Sequence, residues 1–192
     1  MDGLNIKGRG INKIQGFYYV KSEDKVYECK LRGILKRKES KDNCVVGDIV
    51  EISEDNYIIN VEERKNLVER PLVANIDYLV IQFAGKDPDI DYERLNILLL
   101  RSFYYKIKPV IIINKIDLLS AEELEEVKKN LDFLNKLDIK YFLISQKENI
   151  GIEELKVFLK DKITAFGGPS FLLIWAGLPC CGGCRTPGQN LV

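Results

Sequence analysis

Asn114-Lys115-Ile116-Asp117 is the part of this sequence whose residue types and spacing most directly suggest chemistry. Guanine presents its N1–H and N2 amine side by side, and one carboxylate accepts from both at once. Adenine presents an acceptor at N1 and no N2 amine, so a carboxylate placed for guanine would be stranded, at about 1–3 kcal/mol or more. Asp117 is thus the expected specificity residue. Asn114 is expected to bridge strands or reach the Hoogsteen edge of the base, and the stem of Lys115 to cover its face. Read alone, the same four residues are also an ordinary polar β–α turn, in which Asn and Asp bond the local backbone. A second loop, Ser145-Gln146-Lys147, follows YFLI and precedes the helix start GIEEL. A backbone N–H there is placed to meet guanine O6.

These loops need a sheet to carry them. DYLVIQFA and PVIIIN are apolar runs that read as strands, and YFLIS reads as a third. Between them lie helical patterns from about Asp91 to Lys106, Ser120 to Leu137 and Ile152 to Lys162. Strand and helix alternate, which predicts a parallel sheet covered on both faces, with ligand loops at the carboxyl ends of its strands. Ser120 and Glu123 form an S-x-x-E capping box, and Leu124, Val127, Leu131 and Leu134 form the buried stripe behind it. A short strand, Lys162 to Phe166, runs into Gly167-Gly168-Pro169-Ser170, which begins like a phosphate loop.

Upstream, INKIQGFYYVKS, KVYECKLRG, DIVEIS and YIINVEE alternate over short stretches. They predict a partly open β-barrel of the oligonucleotide-binding (OB) type over residues 1–69, with bends at Gly16, Gly33 and Gly47. Arg70-Pro71 is read as the boundary, residues 70–170 as the second domain and 171–192 as a divergent tail. Lys30, Arg32, Arg37 and Lys38 lie near Phe17, Tyr18, Tyr19 and Tyr27, the mixture on which single-stranded nucleic acid stacks. The bland alternative is that the rings fill the barrel and the charges solvate it.

Lys plus Arg and Asp plus Glu are equal at 29 each, so whole-chain charge points to no polyanionic partner. The apolar runs fall far short of the roughly 20 residues of a membrane span, and the N-terminus lacks a signal-peptide core. A cytoplasmic, soluble protein without a membrane partner is expected. With no histidine, imidazole catalysis and His ligation are excluded for this chain. Five cysteines, an odd and unevenly spread set, argue against a disulfide scaffold. Cys180, Cys181 and Cys184 are at most half a zinc site, since a structural zinc needs four ligands.

The order barrel, RPLVANIDYLVIQFA, helix, VIIINKIDLL, ISQKENIGIEEL, FGGPS resembles the ribosome small-subunit-dependent GTPase A family over about Gly8 to Ser170. CKLRG at 29–33 and RPLVANID at 70–77 also look like the family's own. The resemblance implies an OB-type barrel followed by a partial α/β P-loop GTPase domain in circularly permuted order, the NKxD loop preceding the phosphate loop. It further implies GTP hydrolysis with Mg²⁺ in maturation of the small ribosomal subunit, contact with ribosomal RNA, a monomer, and Zn²⁺ in a C-terminal domain missing here. The sequence departs from this pattern after Ser170. A phosphate loop requires G-x-x-x-x-G-K-[ST], whose backbone N–H groups and Lys hold phosphate and whose Ser or Thr holds Mg²⁺. Counting from Gly168, those places hold Leu173, Ile174 and Trp175. The reading frame is expected to diverge at Phe171 by frameshift, truncation or misassembly, and the chain as given to lack hydrolysis. The alternatives are a non-catalytic RNA- or ribosome-binding module and an inactive fragment.

Overall fold

The computed structural model describes residues 5–33, 43–69 and 72–167. Arg37, Lys38, the Arg70-Pro71 boundary, Gly168, Pro169, Ser170, the tail and its cysteines lie outside the described residues. The chain divides into two compact units, the first running through Asn75 and the second starting at Ile76.

In the first unit β1 (Ile6–Ile14), β2 (Phe17–Ser22), β3 (Lys25–Leu31), β4 (Ile49–Ile52) and β5 (Tyr57–Val61) form a barrel in the order β1-β2-β3-β5-β4. The sequence suggests a partly open barrel; the observed one is closed. Closure comes from β1, whose first half pairs with β4 and whose second half pairs with β2. A register shift between Gly10 and Asn12 bends it from one partner to the other. The parallel pair β3–β5 completes the ring. Val20, Cys29, Cys44, Val50, Ile52 and Ile58 fill the interior, each at most 1% exposed.

A short antiparallel hairpin, β6 (Leu67–Glu69) with β7 (Leu72–Ala74), belongs to this unit. Val73 bridges to Val46, and the Ala74 amide bonds the Val46 carbonyl at 2.9 Å. That attachment carries the unit six residues past Glu69. Gly47 sits beneath it with φ +93°, and a Cβ there would fall 2.0 Å from the Ala74 oxygen. Gly16 also has positive φ and turns the β1–β2 hairpin, whereas Gly33, also expected at a bend, is not in that conformation. Next to Gly47 the wholly buried Asp48 is satisfied on both oxygens. Oδ1 accepts from Arg64 Nε at 2.8 Å; Oδ2 accepts from Arg64 Nη2 at 2.9 Å and the Val45 amide at 2.8 Å.

In the second unit β8 (Tyr78–Ala84), β9 (Lys108–Asn114), β10 (Lys140–Leu143) and β11 (Thr164–Gly167) form a fully parallel sheet ordered β10-β9-β8-β11. Strand alternation sends Ile81, Phe83, Ile111 and Ile113 into one core with α1 (Tyr92–Tyr104) and α2 (Ala121–Lys136). Val80, Val110 and Ile112 go into another with α3 (Ile152–Leu159). Both faces are covered, as expected from uninterrupted apolar strands. The capping box at Ser120 and Glu123 forms, and Val127, Leu131 and Leu134 are buried while Leu124 is only partly so. No helix among the described residues is long and apolar enough to cross a membrane.

Arg64→Ala leaves the Asp48 carboxylate buried without its bidentate partner. The expected loss is about 3 kcal/mol or more of first-unit stability, read from urea unfolding followed by circular dichroism.

Candidate functional site at the carboxyl ends of the parallel strands

The last residue of β9 organises the loops beyond the sheet. Val110 to Ile113 are fully buried, which fixes the end of the strand, and Asn114 follows at 6% exposure. Its side-chain oxygen accepts the Lys115 amide at 2.7 Å and, more loosely, the Gln146 amide at 3.3 Å. Its backbone carbonyl accepts the Gly85 amide at 2.7 Å. One residue therefore ties together the loops after β8, β9 and β10.

Lys115 takes the left-handed conformation (φ 60°), which reverses the chain into the 3-10 turn Ile116–Leu118. The Ile116 amide bonds the Ile144 carbonyl at 3.2 Å, bringing Asp117 beside the next loop. There the fully buried Ser145 donates its hydroxyl to Asp117 Oδ1 at 2.6 Å and accepts the Glu148 amide at 3.1 Å. Asp117 Oδ2 has no hydrogen-bond partner among the described residues, and an oxygen holding one donor retains a second lone pair. The carboxylate is oriented yet still has capacity for two more donors.

The third loop is closed by reciprocal backbone bonds between Ser145 and Ile150, at 3.1 and 2.9 Å. Gln146 and Lys147 are exposed at its tip. It ends at Gly151, the N-cap of α3, where φ is +70° and a Cβ would lie 2.6 Å from the Leu143 carbonyl oxygen. Glycine is required because α3 starts so close to the strand it has just left.

Sequence reasoning overlooked the loop after β8. There the Lys115 ammonium donates to the Asp87 carbonyl, so its stem is already laid across the site. The neighbouring Lys86 pairs with Glu123 at 2.7 Å. That contact lifts the Lys86 pKa and, with the Ser120 amide, holds Glu123 below its ordinary value. The signal available in the sequence was Gly85-Lys86-Asp87-Pro88, a polar turn directly after a buried strand.

The barrel's expected nucleic-acid residues separate into kinds. Lys30 Nζ lies 5.1 Å over the Phe17 ring, and Lys13 Nζ lies 5.0 Å over Tyr18. Arg32 is exposed just beyond β3. Tyr18 is a core residue at 8% exposure, and Tyr19 is bonded to Glu28 at 3.1 Å. Arg9, a further basic residue of β1, is structural: its guanidinium bonds the Gly47 and Asn75 carbonyls.

The expectation for metals places Mg²⁺ and Zn²⁺ in parts of the family pattern outside the described residues and none on the side chains described here. Among the described residues no group of three or more His, Cys, Asp or Glu side chains could hold an ion. Cys29 and Cys44 are buried free thiols, pushed up by burial to about 11 and about 12 respectively, hence protonated and poor ligands at neutral pH. In the sequence, the Mg²⁺-binding and phosphate-binding places hold Trp175 and Ile174.

Comparison with known proteins matches residues 56–171 to the RsgA GTPase family and residues 7–58 to the RsgA N-terminal domain. The chain belongs to the RsgA GTPase family. Small ribosomal subunit biogenesis GTPase RsgA of Fusobacterium nucleatum is 64% identical over 160 residues, covering 83% of this chain and 56% of the relative. RsgA of Clostridium beijerinckii is 40% identical over 173 residues, covering 88% and 56%. The chain thus spans about half the length of the curated relatives it matches. Among solved structures, YjeQ from Thermotoga maritima superposes with a TM-score of 0.79 at 31% identity, over 88% of this chain and 62% of that one. YloQ, described as a circularly permuted GTPase, gives 0.77 at 27%, over 87% and 61%. In chain order the loop after β9 precedes β11, the last described strand, and the family match runs to residue 171.

Glu123 links this site to the start of α2, and its depressed pKa gives a signed expectation. A lowered folded-state pKa contributes stability above the ordinary value of 4.5, and that contribution disappears as pH falls through the lower folded value. Protection factors of the amides in the first turn of α2, which allow for the slower intrinsic exchange in acid, should therefore fall below pH 4.5 in the native protein. In Glu123→Gln that fall should be absent.

Proposed function

We propose that this chain carries the guanine-reading half of a GTPase that acts in biogenesis of the small ribosomal subunit, together with its RNA-binding barrel. The observation that carries the reading is Asp117, oriented by the Ser145 hydroxyl at the carboxyl end of β9 with acceptor capacity to spare. In this reading Asp117 accepts guanine N1–H and the N2 amine. Asn114 braces the three loops, and the Lys115 stem covers one face of the base. A backbone amide of Ser145-Gln146-Lys147 donates to O6. Lys147 is exposed at the rim of this loop.

The phosphate half is a different matter. Gly168, Pro169 and Ser170 begin the loop, but Leu173, Ile174 and Trp175 supply neither ammonium nor hydroxyl, so a Mg²⁺-bound triphosphate does not fit. The chain binds the base of GTP and leaves hydrolysis to the complete family pattern. For the whole protein the reading includes ribosomal RNA as partner, the cytoplasm as location, a monomeric state and the barrel and GTPase units as separate domains. Support comes from the names of the relatives, the closed OB-type barrel, and the Lys30–Phe17 pair on its surface.

Two-dimensional NMR of the labelled chain tests the base site without needing a phosphate loop. Guanosine monophosphate should shift the amides of Asn114, Asp117 and Gln146, and adenosine monophosphate should leave them unmoved. In Asp117→Asn the preference between guanosine and xanthosine monophosphate should swing by at least about tenfold toward xanthosine. An unchanged preference would remove Asp117 from the base-reading role. Phosphate release from GTP by the same chain should not exceed that of buffer.

A second reading, of a nucleotide-independent RNA module, is favoured by Lys30, whose ammonium lies over the partly exposed Phe17 ring of the barrel. RNA binding that ignores guanosine monophosphate while Asp117→Asn leaves nucleotide shifts unchanged would select it.

A further inference from the structure

The guanine loops occupy one end of the parallel sheet; the opposite end holds a cavity of about 400 Å³ with a different character. It forms where the strands begin. Lys108 opens β9, Lys140 opens β10, and Lys106 stands in the connection between α1 and β9. All three are exposed, and none has an ion-pair partner among the described residues. Phe103, 48% exposed, and the half-buried Phe158 line the same cavity.

Basic residues near helix C-termini often serve the helix dipole, and Arg101 and Lys136 occupy the last turns of α1 and α2 in that way. The three cavity lysines lie outside the helices. Lys106 even takes a left-handed conformation (φ 55°), where glycine or asparagine is the usual helix-ending residue. Asp138 is the one acid among the lining residues, against Lys106, Lys108 and Lys140. A concave floor that combines unpaired ammonium groups with exposed aromatic rings fits a sugar–phosphate backbone and its bases. Charge attracts the phosphates and the rings supply a stacking surface that tolerates any base. An acidic peptide would use the charge and leave the rings idle.

We infer that this cavity at the amino-terminal end of the sheet, lined by Lys106, Lys108, Lys140 and Phe103, is a second RNA-binding surface, separate from the barrel. The inference rests on the proposal that RNA is a partner of this protein and adds where the GTPase unit touches it. Because the cavity and the guanine loops lie at opposite ends of the strands, base and RNA bind without competing.

The test uses the full 192-residue chain and fluorescence anisotropy of a fluorescein-labelled oligoadenylate over a range of salt. Lys106→Ala/Lys108→Ala/Lys140→Ala should weaken binding about tenfold at low salt and reduce the slope of log affinity against log salt by about two. Phe103→Leu should weaken binding with the slope unchanged, the mark of lost stacking. Circular dichroism and the urea midpoint confirm that each variant is folded; the three lysines are exposed, so no loss is expected. A separate variant, Lys30→Ala/Arg32→Ala, reads the barrel. Loss in the cavity variant alone supports the cavity and removes the barrel. Loss in the barrel variant alone overturns the inference and leaves the barrel reading intact. Loss in neither overturns both, and loss in both supports two surfaces. If polyglutamate displaces the RNA at matched charge and Phe103→Leu has no effect, the cavity is an acidic-peptide site and the inference falls.

Discussion

The second unit's ligand end depends on one carboxamide. Asn114 ends a strand whose residues Val110 to Ile113 are fully buried, packed from both faces of the sheet. Its side chain and carbonyl take amides from the loops after β8, β9 and β10. Three loops that are otherwise independent become one rigid edge. Nothing about Asp117 itself would fix its direction without this arrangement. The Ser145 hydroxyl that aims it stands in the third loop, whose start is set by the Ile144 amide on the Ile113 carbonyl at 2.8 Å. Core burial is thus converted to side-chain orientation through a few hydrogen bonds. This is how a hydrophobic sheet, which has no chemistry of its own, supports polar recognition at its rim.

The elements of that sheet were legible in the sequence because each carries redundant signals. PVIIIN is a strand by its apolar run and β-branched residues, and the next helix begins at Ser120 because a capping box and an apolar stripe agree. The residue types of NKID suggest the base chemistry proposed above because few acceptors suit guanine. What could not be read were relations between segments distant in the chain. The Lys115–Asp87 and Lys86–Glu123 contacts join residues 28 and 37 positions apart. No local pattern encodes such pairs. The closed barrel was also out of reach, since closure depends on where β1 changes partners, a matter of three-dimensional register.

The first unit shows the same limit from the side of polar burial. Asp48 and Arg64 are 16 residues apart, and either alone reads as a surface charge. Folded, they form a buried pair under the β6–β7 hairpin, with Asn75 donating to the Gly47 carbonyl at 3.1 Å and accepting the Lys65 amide at 2.8 Å. A change of composition at Arg70-Pro71 suggests a boundary, but these bonds keep the chain in the first unit through Asn75. The family matches divide earlier still, with the first ending at residue 58 and the second starting at 56. Sequence similarity, composition and packing each mark a different property of the same linker region.

A half-site for guanine is physically coherent, and its weakness is expected. A single carboxylate with two aligned donors distinguishes bases strongly, because the wrong base leaves a charged group unsatisfied. Discrimination of that kind depends on a difference between ligands. Affinity depends on the sum, and in a nucleoside triphosphate the charged phosphates provide most of the opportunity for strong contacts. With Ile174 and Trp175 in place of the ammonium and hydroxyl of a phosphate loop, that sum is small. On the proposed reading, Asp117 accordingly gives specificity for a base without tight retention of the nucleotide. That separation is the reason a monophosphate, whose recognition rests mainly on the base, is the appropriate ligand for this chain.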